Sequence, residues 1–297
     1  EDSISGIIEK LSCIEKSGFN LNNLRCKNVV SWKHGLDIKG LAIELNEKEK
    51  FTGDVRFDYD RYLDYYDFIN KVKMKIKITD ASINMNSISF FAPELRGMDN
   101  HVYANGFFEG YIKDFRLKNM MIKYNNSKLE GDMSFVGLPY LKETFMHFKL
   151  KKLYVKIDDI NSFNIGNKYL DLPDYLRNIG DMEYVGSFTG FYNDFVSYGK
   201  LKTKLGYIIT DIKLNKGINN KLCYRGKLDV MDFDIGGLIN TKTLGKVSFN
   251  MMLDGNDIGI NRANLKYKGN INYITVDKYT YKNVLISGGT KTQTYSE

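Results

Sequence analysis

The sequence is poor in the residues on which most enzyme and metal-site chemistry depends: 297 residues include three His, three Cys, three Pro and one Trp. His34, His101 and His147 each lack a second His or a Cys at metal-ligand spacing, so no metal site is expected. There is no Gly-x-Ser-x-Gly elbow, no His-Glu-x-x-His, no glycine-rich phosphate loop and no dinucleotide fingerprint. A Ser/His/Asp set whose members meet only in the fold stays open, but no residue nominates one. The expectation is a protein that is not an enzyme and carries no cofactor. Cys13, Cys26 and Cys223 are too few and too widely spaced for a disulfide framework, which leaves a Cys13–Cys26 bridge in an oxidising compartment as the one open pairing. No run approaches the ~20 consecutive apolar residues of a membrane-spanning helix.

Arginine is scarce as well, with 8 among 43 basic residues. Nucleic-acid binders gather charge on one face and rely on the guanidinium fork, whereas here the bases are interleaved with 36 acids. The net charge of +7 therefore reads as a solvated, lysine-rich surface, and no nucleic-acid partner is expected.

What the chain has in quantity is alternation. From residue 19 onward the dominant period is two, clearest where Lys71, Lys73, Lys75 and Lys77 alternate with Val72, Met74, Ile76 and Ile78. The pattern returns with Leu153, Val155 and Ile157, with Leu201, Leu205, Tyr207 and Ile209, with Val247, Phe249, Met251 and Leu253, and with Leu265 and Tyr267. Asn, Asp and Gly turn signals separate these runs. The fold class is all-β, with short helices expected at residues 60–70 and 172–179. Residues 1–18 space Ile4, Ile7, Ile8, Leu11 and Ile14 by three and four, the pattern of a helical lead-in. Residues 19–287 read as one continuous β array and 288–297 as a tail.

Internal repetition marks the array. GFFEGYIKDF (106–115) and GSFTGFYNDF (186–195) match at Gly106/Gly186, Phe108/Phe188, Gly110/Gly190, Asp114/Asp194 and Phe115/Phe195. Gly53-Asp54 with Phe57 recurs 78 residues later as Gly131-Asp132 with Phe135. Tyr224, Gly226, Leu228 and Asp234 recur 43 later as Tyr267, Gly269, Ile271 and Asp277. Such repeats belong to architectures in which each unit covers the edge of the one before. The repeated glycines are expected to bend the sheet and the repeated Phe to stack along one face. An apolar face of this kind either closes on itself, meets a second layer or leaves a groove, and the pattern alone does not choose.

The runs SISFFAPELRGM (87–98), GDMSFVGLPYLKETF (131–145) and LPDYLRNIGDMEYVGSFTGFYNDFVSYGKLKTKLGYIITDIKL (172–214) resemble the AsmA-like bridge proteins of the TamB, Bacteroidetes type, the inner-membrane component of the translocation and assembly module. So do YRGKLDVMDFDIGGLI with LGKVSFNMMLDG (224–255) and ITVDKYTYKNVLISGG (274–289). The resemblance implies an elongated β sheet folded into a U-shaped trough with an apolar interior. It also implies a longer protein, anchored in the inner membrane by a segment absent here, with a periplasmic body and a BamA-like outer-membrane barrel as partner. The roles implied are glycerophospholipid transfer and assembly of outer-membrane barrel proteins. On that reading Val72, Met74, Ile76, Ile78, Leu153, Val155, Ile157, Leu201, Leu205, Ile209, Val247, Phe249, Met251 and Leu253 line the trough and contact phospholipid acyl chains. The alternatives are an assembly factor that offers its sheet edge to barrel strands, and a glycan-binding surface solenoid with Tyr59, Tyr65 and Tyr66 in an exposed row.

Overall fold

The computed structural model describes residues 2–14, 20–90, 96–140, 142–162, 164–165, 168–169, 177–217, 221–256 and 264–290. It is all-β: among the described residues the long strands of each unit run antiparallel, in chain order, through a sheet that does not close. The residues group into two compact units, Glu1–Thr144 with Asp158–Asp171, and Phe145–Ile157 with Leu172–Glu297.

The first unit holds β1 (Ser3–Ile14), β2 (Asn20–Trp32), β3 (Gly35–Glu44), β4 (Lys50–Asp58), β5 (Lys73–Asn84), β6 (His101–Tyr111), β7 (Asp114–Tyr124) and β8 (Ser127–Val136). Two short strands, β10 (Asn164–Ile165) and β11 (Lys168–Tyr169), pair only with each other. The second unit holds β9 (Phe145–Val155), β12 (Met182–Phe191), β13 (Asp194–Thr203), β14 (Tyr207–Lys216), β15 (Leu222–Asp234), β16 (Leu244–Asn256), β17 (Asn264–Val276) and β18 (Tyr279–Thr290). Helical structure is confined to short pieces, among them Tyr62–Asp67 with Phe68–Lys71, Ile157–Ser162 and Ile235–Ile239.

Directly opposed residues of neighbouring strands point to the same face, so the register sorts every side chain. In the first unit one row across the strands reads Ile38, Val55, Ile76, Phe108, Leu117 and Met133, and the adjacent row on the other face reads Asp37, Arg56, Lys75, Glu109, Arg116 and Ser134. In the second unit Tyr184, Leu201, Ile208, Val230, Phe249 and Ile271 form one apolar row.

Bulges interrupt the ladders, and each of three leaves a residue with positive φ that the next strand secures. Gly40 N donates to Asp54 Oδ1 (2.9 Å), Asn119 N to Asp132 Oδ1 (2.7 Å) and Asp232 N to Ser248 Oγ (2.8 Å). Asp54 and Asp132 are the repeated Gly-Asp pairs, so the 78-residue period corresponds to four strands and its aspartate is a bulge acceptor. The 80-residue period has the same length in strands: the β6–β7 hairpin recurs as β12–β13. Gly110 and Gly190 adopt φ of 138° and 139°, and a Cβ on either would lie 2.3 Å from the carbonyl oxygen of Asp114 or Asp194.

The amino-terminal segment differs from expectation. Residues 3–14 are strand β1, not helix; its register against β2 slips at Gly6/Ile8, Ile8/Leu11 and Leu11/Cys13, and these slips produce the helix-like spacing. Cys13 faces Leu21 and Cys26 faces Ile8, so the two thiols are not opposed and both are free. The helix expected at 60–70 is present as Tyr62–Lys71, whereas residues 172–176 lie outside the described residues. Residues 288–290, expected in the tail, complete β18.

Gly190→Ala is expected to lower stability by about 1–3 kcal/mol in urea unfolding, because it places a Cβ in a backbone conformation and a space that exclude one. Gly6→Ala, with no heavy atom within 4 Å of the added carbon, is expected to be close to neutral.

Candidate functional site

The apolar faces are the chemically distinctive surfaces of both units. In the first, Cys26, Leu41 and Val55 are buried at 4–6% exposure, and Leu24, Val29, Ile38, Ile43, Phe51, Phe57 and Ile76 pack around them half-buried. Farther along the same face Phe108, Phe115 and Phe135 stack in sequence, with centroids 4.7 Å and 5.0 Å apart. The only other sheet among the described residues is the β10–β11 pair. What covers part of this face is the helical insert between β4 and β5. Its Phe68 and Tyr65 meet Phe57 edge-on at 5.6 Å and 6.5 Å, and they shelter Val72 and Met74. Beyond the insert Ile76, Ile78, Phe108, Phe115 and Leu117 remain half-exposed.

The second unit repeats the arrangement. Leu205, Val230, Phe233 and Val247 form a buried cluster at one end of its apolar face, closed by the helix Ile235–Ile239, whose start is capped by Asp234 Oδ1 accepting from Gly237 N (2.9 Å). Phe148, Phe188 and Phe195 stack along the face with spacings of 5.4 Å and 4.5 Å.

Met74, Ile76 and Ile78 thus share a face with Gly106, Phe108, Gly110 and Phe115 in the first unit. Leu153, Val155, Leu201, Val247, Phe249, Met251 and Leu253 share one with Gly186, Phe188, Gly190 and Phe195 in the second. Four expected lining residues lie elsewhere. Val72 ends the helical insert, fully buried; Ile157 opens the helix after β9; Leu205 sits in the β13–β14 turn, packed in the buried cluster. Ile209 points to the polar face, opposite Lys200 and Asp229, because the turn at 204–206 shifts the phase and Ile208 takes the apolar position.

The lining also includes residues the alternation did not single out, among them Ile38, Leu117, Ile212 and Tyr184. The last closes over Gly199 and donates or accepts a hydrogen bond with Ser197 Oγ (2.9 Å). Bulges within β3 and β7 themselves, just beyond Ile38 and Leu117, hide these two from a simple alternation, and the pairing of a Tyr with a cross-strand Gly is the signal for Tyr184.

The polar faces carry exposed ion pairs. Lys118 hydrogen-bonds Glu109 (2.9 Å) and holds its carboxyl below the usual range; Arg225 pairs with Asp254 at 2.6 Å. A concavity of about 900 Å³ opens on the second unit's polar face beside Arg225, Lys213 and Lys266, where Asp254 pairs with Arg225 and Asp194 with Lys213 in a solvated charge cluster.

Ser82 Oγ and His101 Nε2 are 2.7 Å apart, which is nucleophile–base distance. Ser82 is 2% exposed and donates its one proton to Lys48 O (2.7 Å), so the imidazole N–H must donate to the hydroxyl, the reverse of what activation requires. The pair ties the β3–β4 turn to β5 and β6. Among the described residues no three His, Cys, Asp or Glu side chains could hold a metal. No helix there is long and apolar enough to cross a membrane. Tyr59, Tyr65 and Tyr66 form no exposed row: Tyr59 is buried against Tyr65 at 4.9 Å, and only Tyr66 faces water.

Burial and the neighbouring Tyr59 push the Tyr65 phenol up to about 12. A phenol neutral in the folded chain at a pH where the unfolded chain ionises adds stability below about pH 10. That contribution is lost as pH rises through about 12. Tyr65→Phe is therefore expected to flatten the loss of stability in urea unfolding between pH 9 and pH 12. No family model, curated protein or solved structure matches the chain.

Proposed function

We propose that the apolar faces hold lipid acyl chains and that the chain is part of a carrier shielding phospholipid tails in transit between membranes. The carrying observation is the sorting of side chains: across consecutive strands aliphatic and aromatic groups share one face, half-open, and Lys, Arg, Asp and Glu share the other. Each methylene moved from water onto such a wall contributes about 0.8 kcal/mol, so a tail is held by length and area with no polar recognition. The stacked Phe rows give smooth surface along which a tail can shift without breaking a hydrogen bond. Lysines on the opposite face keep the sheet hydrated.

The resemblance to AsmA-like bridge proteins supports extending the reading to a periplasmic carrier. That carrier would be anchored at the inner membrane and deliver glycerophospholipid toward an outer membrane, with a BamA-like barrel as partner.

A photoreactive phenylalanine analogue at Phe108 or Phe249 is expected to cross-link phospholipid in cells, and the same analogue at Lys75 or Lys200 is not. Charges introduced together at Ile76 and Ile78 should abolish the cross-link while the protein is still produced. Equal labelling from both faces would refute acyl-chain binding, and capture of unfolded barrel protein in place of lipid would favour an assembly factor.

A further inference from the structure

Alternate turns of an antiparallel sheet emerge at the same end, so the β2–β3, β4–β5 and β6–β7 connections and the segment after β8 form one rim of the first unit. Main-chain bonds knit it: Tyr59 N donates to His34 O (3.0 Å), Lys113 N to Ile69 O (3.4 Å), and Gly137 N and Leu138 N to Lys113 O (2.8 Å and 3.2 Å). From this rim project Tyr62 (75% exposed), Leu63 (65%), Tyr66 (89%), Ile69 (39%) and Tyr140 (70%).

The insert begins as a 3-10 turn, in which residues three apart eclipse. Leu63, Tyr66 and Ile69 therefore line its outer side, while Tyr65 and Phe68 turn inward onto Phe57. Asp60 is exposed ahead of the helical turns, and the two acids within them do not break the outer line. Asp64 is 5% exposed and accepts from Arg61 N (2.7 Å), and Asp67 accepts from Asn70 Nδ2 (2.6 Å). Arg61 and Lys71 flank the line, with Lys71 Nζ 3.9 Å from the Asp64 carboxylate.

We propose that this rim is a bilayer-contact site. Leu63, Tyr66 and Ile69 enter the boundary between head groups and acyl chains, the Tyr hydroxyls stay at the wet level, and Arg61 and Lys71 meet lipid phosphates. What favours a lipid surface over a protein partner is that the side chains project from turns knit by main-chain hydrogen bonds, Asp64 N to Arg61 O and Val72 N to Phe68 O within the insert as well as those along the rim, so fewer backbone groups are left to lose water on entering an apolar medium. The inner side of the same insert is the start of the apolar wall: Tyr65 and Phe68 meet Phe57, which faces Met74 across the β4–β5 ladder, and Ile76 follows Met74 on the same face. A tail leaving the bilayer there would move from apolar to apolar surroundings. This last point rests on the acyl-chain reading; the rim's affinity for a bilayer does not.

The test is flotation of the purified chain with vesicles of phosphatidylcholine and phosphatidylglycerol in equal parts. The unmodified chain is expected to float, and the triple variant Leu63→Ser, Tyr66→Ser, Ile69→Ser to partition at least about tenfold less. Tyr66→Trp supplies a second readout that does not depend on the triple variant folding: its emission should shift to the blue on adding vesicles, relative to the unmodified chain with its single Trp32. No flotation, flotation unchanged by the triple substitution, or an unmoved Tyr66→Trp emission would each overturn the proposal. Uptake of cis-parinaric acid without vesicles reads the acyl-binding face separately. A chain that floats yet takes up no probe leaves the rim standing and removes the acyl-chain reading.

Discussion

A sheet one layer thick must keep its phase. Successive side chains alternate between faces, so a single unpaired residue moves everything beyond it to the wrong side unless the register is repaired. The bulges at Gly40, Asn119 and Asp232 are where that danger is greatest, and each is fastened by an acceptor on the following strand, Asp54, Asp132 or Ser248. A hydrogen bond to a carboxylate contributes roughly 1.5–3 kcal/mol and one to a neutral hydroxyl roughly 0.5–1.5 kcal/mol, less where the bond is exposed as at Asn119, which is enough to bias the choice between competing registers. Where a bulge interrupts the ladder, the apolar rows stay on one face because those bonds hold.

The second unit shows how a face can be apolar and smooth at once. Tyr184 lies over Gly199, Tyr224 over Gly255 and Tyr267 over Gly288, in each case with an atom of the phenol within 3 Å of where a Cβ would be. A ring spread over a missing side chain leaves neither bump nor hole. The phenol oxygen of Tyr184 is taken up by Ser197, so its polarity is spent locally. Such a wall distinguishes molecules by apolar length and by little else, which is what a surface that takes up and releases many similar tails requires.

Much of this was legible in the residues. The Lys/Met/Ile alternation at 73–78 is β5 with its faces as read, and the Phe108/Phe188 repeat is a repeated hairpin with stacked rings. What was not legible depends on partners across strands. Residues 3–14 look helical because three register slips space the isoleucines irregularly, and only β2 reveals the correction. The expectation for Ile209 carries a phase through a turn of three residues, and an odd count reverses it. The Gly-Asp repeat was visible, but the role of its aspartate was not, since the bulge it secures lies on the preceding strand.

In the first unit the repeated four-strand block carries both the bulge and the group that fastens it, Gly40 with Asp54 on β3–β4 and Asn119 with Asp132 on β7–β8, so such a block is self-sufficient. Adding or deleting one returns the chain to the same direction and the same face, with no compensating change demanded of its neighbours. Gain or loss of an odd number of strands would have no such protection. Evolution can therefore set the reach of an array like this by copy number alone, tuning distance spanned independently of what is carried.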